Sequence, residues 1–210
     1  MATIDLDGRN LIAALWTPAR LSPLARGAIL AIAGSLFVAL SAQITVPFWP
    51  VPITGQTFGV LSLGLVCGWR IGASAMLLYL LEGAVGLPFF ALGEGGWAVL
   101  TGPSGGYLLG YPLAALLVGW FAERGWDRTL WRTVLALLLG NVVLYVPGLF
   151  WLQRFYAGPG QAYIAEAGAT TAWEASFNAG LLPFLIGDGV KLLLAAALLH
   201  AAWNILRRRT

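Results

Sequence analysis

Charge is scarce in this chain. Only 10% of its 210 residues are Asp, Glu, Lys or Arg, where a soluble domain of this length carries about a quarter. So few charges cannot clothe a surface that faces water, whereas 59% hydrophobic residues and a mean hydropathy of +0.80 suit a surface that faces lipid. Cysteine occurs once, at Cys67, which excludes an intramolecular disulfide and a cysteine-based metal cluster. Histidine also occurs once, at His200, and no Ser/His/Asp or His-rich cluster offers hydrolysis or metal binding, so neither enzyme activity, metal nor cofactor is expected. There is no phosphate-binding P-loop either, because Lys191 is followed by Leu192 and no glycine spacing of that type precedes it. The first twenty residues contain Asp5, Asp7 and Arg9 and lack the long apolar core of a cleavable signal peptide. Their Leu6, Leu11, Ile12, Leu15 and Trp16 suit a segment resting on a membrane surface before Pro18.

What remains is apolar runs. Hydrocarbon about 30 Å thick needs about 20 helical residues. Runs of that order lie at about 24–44, 104–122, 133–153 and 181–206, with two shorter glycine-rich segments, 53–69 and 71–87, split by Arg70. The expected fold is all-α: a single integral membrane domain over 1–210, a bundle of six transmembrane helices. With the N-terminus inside, Arg9, Arg20, Arg26, Arg70, Arg124, Arg128, Arg132, Arg207, Arg208 and Arg209 face the cytoplasm and only Arg154 lies outside. That bias places both termini on the cytoplasmic side of the cytoplasmic membrane. The net charge of +3 and isoelectric point near 9.4 therefore reflect orientation and contact with anionic lipid, not nucleic acid. Tryptophans agree, with Trp69, Trp120, Trp126, Trp131 and Trp203 near inner helix ends and Trp49, Trp97, Trp151 and Trp173 near outer ones. Continuous rather than alternating apolar runs argue against a barrel.

The outer connections are the elaborate ones. Segment 45–56 holds Pro47, Pro50 and Pro52, segment 87–107 is rich in glycine, and 155–178 is long enough for a short surface helix. Ordered-looking loops on one face point to binding there. Beneath them, Asp188 and Lys191 lie three apart on one face of the last span, about 8 and 12 Å inward from Pro183. A charge at mid-membrane costs about 2.5–3.5 kcal/mol, so such residues mark a ligand site or an ion pair between helices. Lys191 is the only lysine in the chain. Thr54, Gln56 and Thr57 open the second span. Thr54 suits an N-cap, and the Gln56 amide offers both donors and an acceptor near the outer end of an apolar helix. Gly102, Pro103, Ser104, Gly105, Gly106 and Tyr107 open the fourth span, where small residues admit either a ligand or a close neighbouring helix. Asn141, in the fifth span, suits a ligand contact or an interhelical hydrogen bond. In the first span Gly27, Ala31 and Ser35 form a smooth stripe for an internal contact or for docking another subunit.

These segments together resemble the BioY family, the biotin-specific substrate-binding (S) components of energy-coupling-factor transporters. The likeness is carried by Val46-Pro47-Phe48-Trp49-Pro50-Val51-Pro52-Ile53-Thr54-Gly55-Gln56-Thr57, then Gly86-Leu87-Pro88-Phe89-Phe90. It continues through Leu100-Thr101-Gly102-Pro103-Ser104-Gly105-Gly106-Tyr107 to Pro183-Phe184 with Asp188 and Lys191. The resemblance implies six membrane helices with biotin bound near the outer face, and as partners a transmembrane coupling subunit and cytoplasmic ATP-binding-cassette (ABC) ATPases. It also implies a docking face on the first helix, where Gly27, Ala31 and Ser35 stand.

On that footing, Asp188 is expected to accept from the ureido N–H groups of biotin while Lys191 neutralises it. Gln56, Thr54, the Gly102, Ser104, Gly105, Gly106 and Tyr107 turn and Asn141 would supply further contacts, with Phe48, Phe89 and Tyr107 flanking the rings. The rival readings are an S component for another vitamin, a solitary or proton-coupled small-molecule transporter, and an intramembrane enzyme using Glu82 or Glu94.

Overall fold

The computed structural model describes residues 11–12 and 21–207, with the side chains of 11–12 and 21–206. Of the expected surface segment around residues 6–16 only Leu11 and Ile12 are described, and they pack against the core and not along a membrane surface, Leu11 being buried; most of the arginine tail lies outside the described range. Helix α1 (Pro23–Gln43) starts where Ser22 accepts a hydrogen bond from the Ala25 N–H at 3.2 Å and Pro23 takes the first turn, a position that needs no donor. Two short antiparallel strands follow, β1 (Thr45–Val46) and β2 (Ile53–Thr54), paired Thr45 to Thr54 and Val46 to Ile53. The expected second span therefore begins three residues later than 53, because Ile53 and Thr54 are used in this ribbon.

Helix α2 (Gln56–Ala84) contains both expected short spans, 53–69 and 71–87, folded on each other. The chain reverses at Gly68, whose φ of 79° and ψ of 174° lie in a region essentially closed to residues with a side chain. The reversal is direct to read: the Gln56 amide donates to the Tyr79 hydroxyl at 2.6 Å, whereas 23 residues of straight helix would part them by about 34 Å. The turn thus falls at Gly68 rather than at Arg70. Close packing of the two limbs is possible because Gly64 and Gly72 face each other, and Gly64 also abuts the Ala115 carbonyl.

Beyond the hairpin come α3 (Trp97–Thr101), α4 (Gly105–Ala122), α5 (Leu130–Ala157), α6 (Ala172–Gly180) and α7 (Leu182–Arg207). Helix α5 is longer at both ends than the expected 133–153. The short surface helix is α6, capped by Thr171, whose hydroxyl accepts from the Glu174 N–H at 3.2 Å. Hydrogen bonds from the backbone and hydroxyl of Thr170 hold the exposed Glu174 carboxyl below its ordinary range.

Helix α2 packs chiefly on α1 and α4, α4 on α5, and α7 closes the bundle against α2 and α5. At one end the chain reversals are tied by Glu123, which accepts from the Trp69 N–H at 3.3 Å, and by fully buried Asp127, which accepts from the Trp203 indole at 2.8 Å. The ribbon, the 85–104 connection and the 158–181 connection gather at the other. Five of these helices are long and apolar enough to cross a membrane, with the folded α2 counted once. Only 28% of the most apolar window toward the C-terminus is buried by protein, and Leu, Ile, Val and Phe side chains cover the outside of α1, α5 and α7. Such a surface requires lipid.

One expectation is corrected here. Gly27 and Ser35 are buried and Ala31 is half-buried against the core, so this stripe makes an internal contact of α1. The physical reason is that small residues allow α1 to settle into the α2 hairpin, where Gly34 meets Leu63 and Ala75. The exposed face of α1 carries Leu24, Ile29, Ile32, Leu36, Phe37 and Leu40 instead.

Substituting Gly68→Ala should cost about 1–3 kcal/mol for the forced backbone, read as a lower thermal midpoint of the detergent-solubilised protein. Gly187→Ala, with no atom within 4 Å of the added carbon, should leave the midpoint unchanged or slightly raised.

Candidate functional site

A cavity of about 580 Å³ opens at the end of the bundle where the ribbon and the long connections gather. Its size falls within the range of about 300–1,000 Å³ that small-molecule sites occupy. The floor is helical, from α2, α4, α5 and α7, and the rim is loop.

Asp188, on α7, is the most demanding group in it. The carboxylate is 3% exposed and accepts three hydrogen bonds from three directions. Lys191 lies one helical turn on and donates to Oδ1 at 2.8 Å, the Thr57 hydroxyl donates to the same oxygen at 3.0 Å, and the Tyr145 hydroxyl donates to Oδ2 at 2.6 Å. The Lys191 ammonium also donates to Thr57 Oγ1 at 3.2 Å, which leaves its third proton without a protein acceptor among the described residues. Three helices thus converge on one carboxylate: α7 by its own turn, α2 through Thr57 and α5 through Tyr145. Burying a charge without such partners would cost several kcal/mol.

A second polar chain runs from the ribbon into the hairpin. The backbone N–H of Gln56 donates to Thr54 Oγ1 at 3.1 Å, the Thr54 hydroxyl donates to Gln56 Oε1 at 2.8 Å, and the Gln56 amide donates to Tyr79. The Tyr79 hydroxyl in turn donates to the Phe89 carbonyl at 3.1 Å. Both Thr54 and Gln56 are buried and line the cavity. Thr54 is not the N-cap, a position that Gly55 takes; standing one residue earlier, its hydroxyl accepts from the Gln56 N–H and forms part of the cavity wall.

The rim is clamped from behind. Gln43 donates to the carbonyls of Ala39 and Phe90, both at 3.1 Å, and the Trp151 indole donates to the Gly102 carbonyl at 2.9 Å. Trp49 rests on Tyr163 with ring centroids 4.5 Å apart, and Phe48 meets Phe184 edge-on at 6.3 Å. Tyr107 turns its hydroxyl to the Gly180 carbonyl at 2.8 Å and its ring edge-on to Tyr145.

Of the residues named from sequence, Asp188, Lys191, Gln56, Thr54, Gly102, Ser104, Tyr107 and Phe48 line this cavity. Gly105, Gly106, Asn141 and Phe89 do not. Gly105 and Gly106 are consumed by packing: a side chain there would strike the Leu100 carbonyl, or Trp151 and the Pro147 carbonyl. Asn141 sits in a separate small void beneath the ion pair, with Oδ1 buried and unpartnered. Phe89 offers its carbonyl to Tyr79, and it is Phe90 that reaches the wall, stacked edge-on against Tyr79.

The sequence assigned no site role to Thr57 or Phe184, although both stand in the segments quoted above, and Tyr111 and Tyr145 were missed. A signal existed for Tyr145: a hydroxyl within an otherwise apolar span must find a partner when buried, and Asp188 needs donors.

Comparison with known proteins follows the same lines. The chain matches the BioY family over residues 13–208. A protein described as a probable biotin transporter BioY from Pyrococcus horikoshii is 38% identical over 160 residues, covering 75% of this chain and 85% of that protein. The biotin transporter BioY of Rhizobium etli is 36% identical over 177 residues, 80% of this chain and 87% of the relative. That of Thermotoga maritima is 36% identical over 168 residues, 79% and 90%. Among solved structures, the crystal structure of the S-component for biotin from an ECF-type ABC transporter superposes with a TM-score of 0.69 at 22% identity. The superposition covers 85% of this chain and 91% of that one, a likeness of fold. With nearly its whole length matched and relatives above 35% identity across most of theirs, the chain belongs to the BioY family.

Proposed function

We propose that this chain captures biotin from outside and serves its uptake across the cytoplasmic membrane as the substrate-binding component of an ECF-type transporter. Its work is transport, not catalysis. It acts as one membrane domain crossing six times, the α2 hairpin contributing two crossings, with both termini cytoplasmic and the cavity outward. The partners implied are a transmembrane coupling subunit and ABC ATPases, which supply the energy that binding alone lacks.

The observation that carries this reading is Asp188, a buried carboxylate held open to a cavity by three donors. A carboxylate has about four acceptor positions, so Asp188 retains capacity for an N–H donor from the cavity side. The ureido ring of biotin presents N–H groups for that capacity and a carbonyl for the free proton of Lys191. Thr54, Gln56, Gly102 and Ser104 supply further polar contacts along the wall. Tyr111, Phe184, Phe48 and Tyr107 flank the apolar bicycle. Family membership and the printed descriptions of the relatives support the choice of biotin over other vitamins.

Labelled-biotin binding to the purified protein tests this. Asp188→Asn leaves Lys191 beside a neutral group, an imbalance of about 3–5 kcal/mol when buried, so affinity should fall by about a hundredfold or more while the protein still inserts. Tyr145→Phe keeps the ring and removes one donor to the carboxylate, and should weaken binding about tenfold. Unchanged affinity in both variants, or thiamine or riboflavin competing as well as biotin, would end the assignment.

Orientation has its own check. Cysteine introduced at Glu166 should react with a membrane-impermeant maleimide on intact cells, whereas cysteine at Arg124 should react only after lysis. The buried native Cys67 should stay silent in both.

A further inference from the structure

Three charged side chains stand on the cavity wall among the described residues: Asp188, Lys191 and Glu94. The first two cancel each other at 2.8 Å. Glu94 does not share in that pair. It is exposed at the rim, on the segment 90–95, and its carboxylate has no hydrogen-bond or ion-pair partner among the described residues. Its backbone, in contrast, is fixed. The Glu94 N–H donates to the Ala91 carbonyl at 3.2 Å and its own carbonyl accepts from Phe90 at 3.0 Å, so the side chain is launched from an anchored turn.

The cavity consequently carries one uncompensated negative charge, at its mouth. The surrounding face repeats the sign: the cavity end of the bundle carries Glu82, Glu94, Glu166 and Glu174 against a single Arg154 among the described residues, and Arg154 is not part of the wall. A cleft lined by one sign of charge selects ligands by charge as they approach and settle.

Free biotin brings a carboxylate on the end of its acyl tail. A ureido ring engaged at Asp188 and Lys191 would leave that tail to run along the same cavity, whose wall includes Glu94. We propose that Glu94 determines tail specificity: it disfavours the free acid and favours biotin whose carboxyl is masked as an amide, most of all an amide that ends in a primary amine. The ligand class this adds is the tail-conjugated vitamin, such as biotin joined through an amide to a lysine side chain. It rests on the reading of the site as a biotin site.

The test is competitive binding by three probes, biotin, biotin amide and an amino-alkyl biotin amide, to wild type and Glu94→Gln at about 10 mM salt, where screening extends over about 30 Å. E94Q should tighten free biotin about three- to fivefold, leave biotin amide unmoved and weaken the amine-bearing amide by a similar factor, the scale of an exposed charge pair. These differences should shrink at 0.5 M salt. Because Glu94 lies on the rim and outside every hydrogen bond that holds the floor, biotin amide reports directly on whether the variant is intact. A ratio of biotin to amine-bearing amide that E94Q does not change at low salt would overturn the proposal while leaving the biotin site standing. Failure of all three probes to bind wild type would overturn the biotin reading itself, and tail selection with it.

Discussion

A carboxylate that is 3% exposed inside an apolar bundle is tolerated only where donors surround it, and the three that surround Asp188 come from separate parts of the chain. Lys191 comes with the helix. Thr57 depends on where the α2 hairpin starts, and Tyr145 on the register of α5. A shift of one residue in either element would swing its hydroxyl by about 100° around the helix and leave the charge uncovered. The arrangement of α2, α5 and α7 at the cavity end is therefore bound to one ionic cluster. The remainder of the fold reads as support for that convergence.

The support is of two kinds. Toward the closed end, small residues let backbones approach: Gly64 against the Ala115 carbonyl and Gly119 against Trp69 bring α2 and α4 together tightly. Between these two helices no space is left, and the void of about 190 Å³ in that half of the bundle lies instead between α2 and α7, lined by Phe58, Leu65, Ala195 and Leu199. Toward the cavity end the contacts change to aromatic rings and side-chain-to-carbonyl hydrogen bonds, as in Gln43 to Phe90 and Trp151 to Gly102. Such contacts hold loops at the distance of a side chain and leave a cavity between them. Ordered loops over an open end are what a capture protein requires, and the dense closed end keeps the cavity from running through.

Much of this was legible beforehand, for physical reasons that can be named. Apolar runs of membrane length announced the helices. Asp188 and Lys191 stood out because charge in such a run is costly wherever the run is placed. Glycines were harder. Gly102 lines the cavity while Gly105 and Gly106, from the same motif, are taken up by Leu100, Pro147 and Trp151; a glycine admits a ligand or a helix equally well, and sequence does not say which arrives. The stripe Gly27, Ala31 and Ser35 faced the same ambiguity and resolved inward. Phe90 reaches the wall where Phe89 was expected, because a tight connection, unlike a helix, imposes no periodicity from which facing can be counted.

Composition and local pattern by themselves determined that the chain is a membrane protein built of apolar helices, that one end bears elaborate loops, and that a lone acid–base pair lies buried beneath them. Each of these follows from the cost of placing a residue in hydrocarbon, which depends on that residue and its near neighbours. Tertiary structure alone decided which partners complete the pair, since Thr57 and Tyr145 stand 131 and 43 residues from Asp188. It likewise decided which glycines face space and which face backbone. Those choices depend on distances between helices to within an ångström, and such distances are set by the packing of all of them at once.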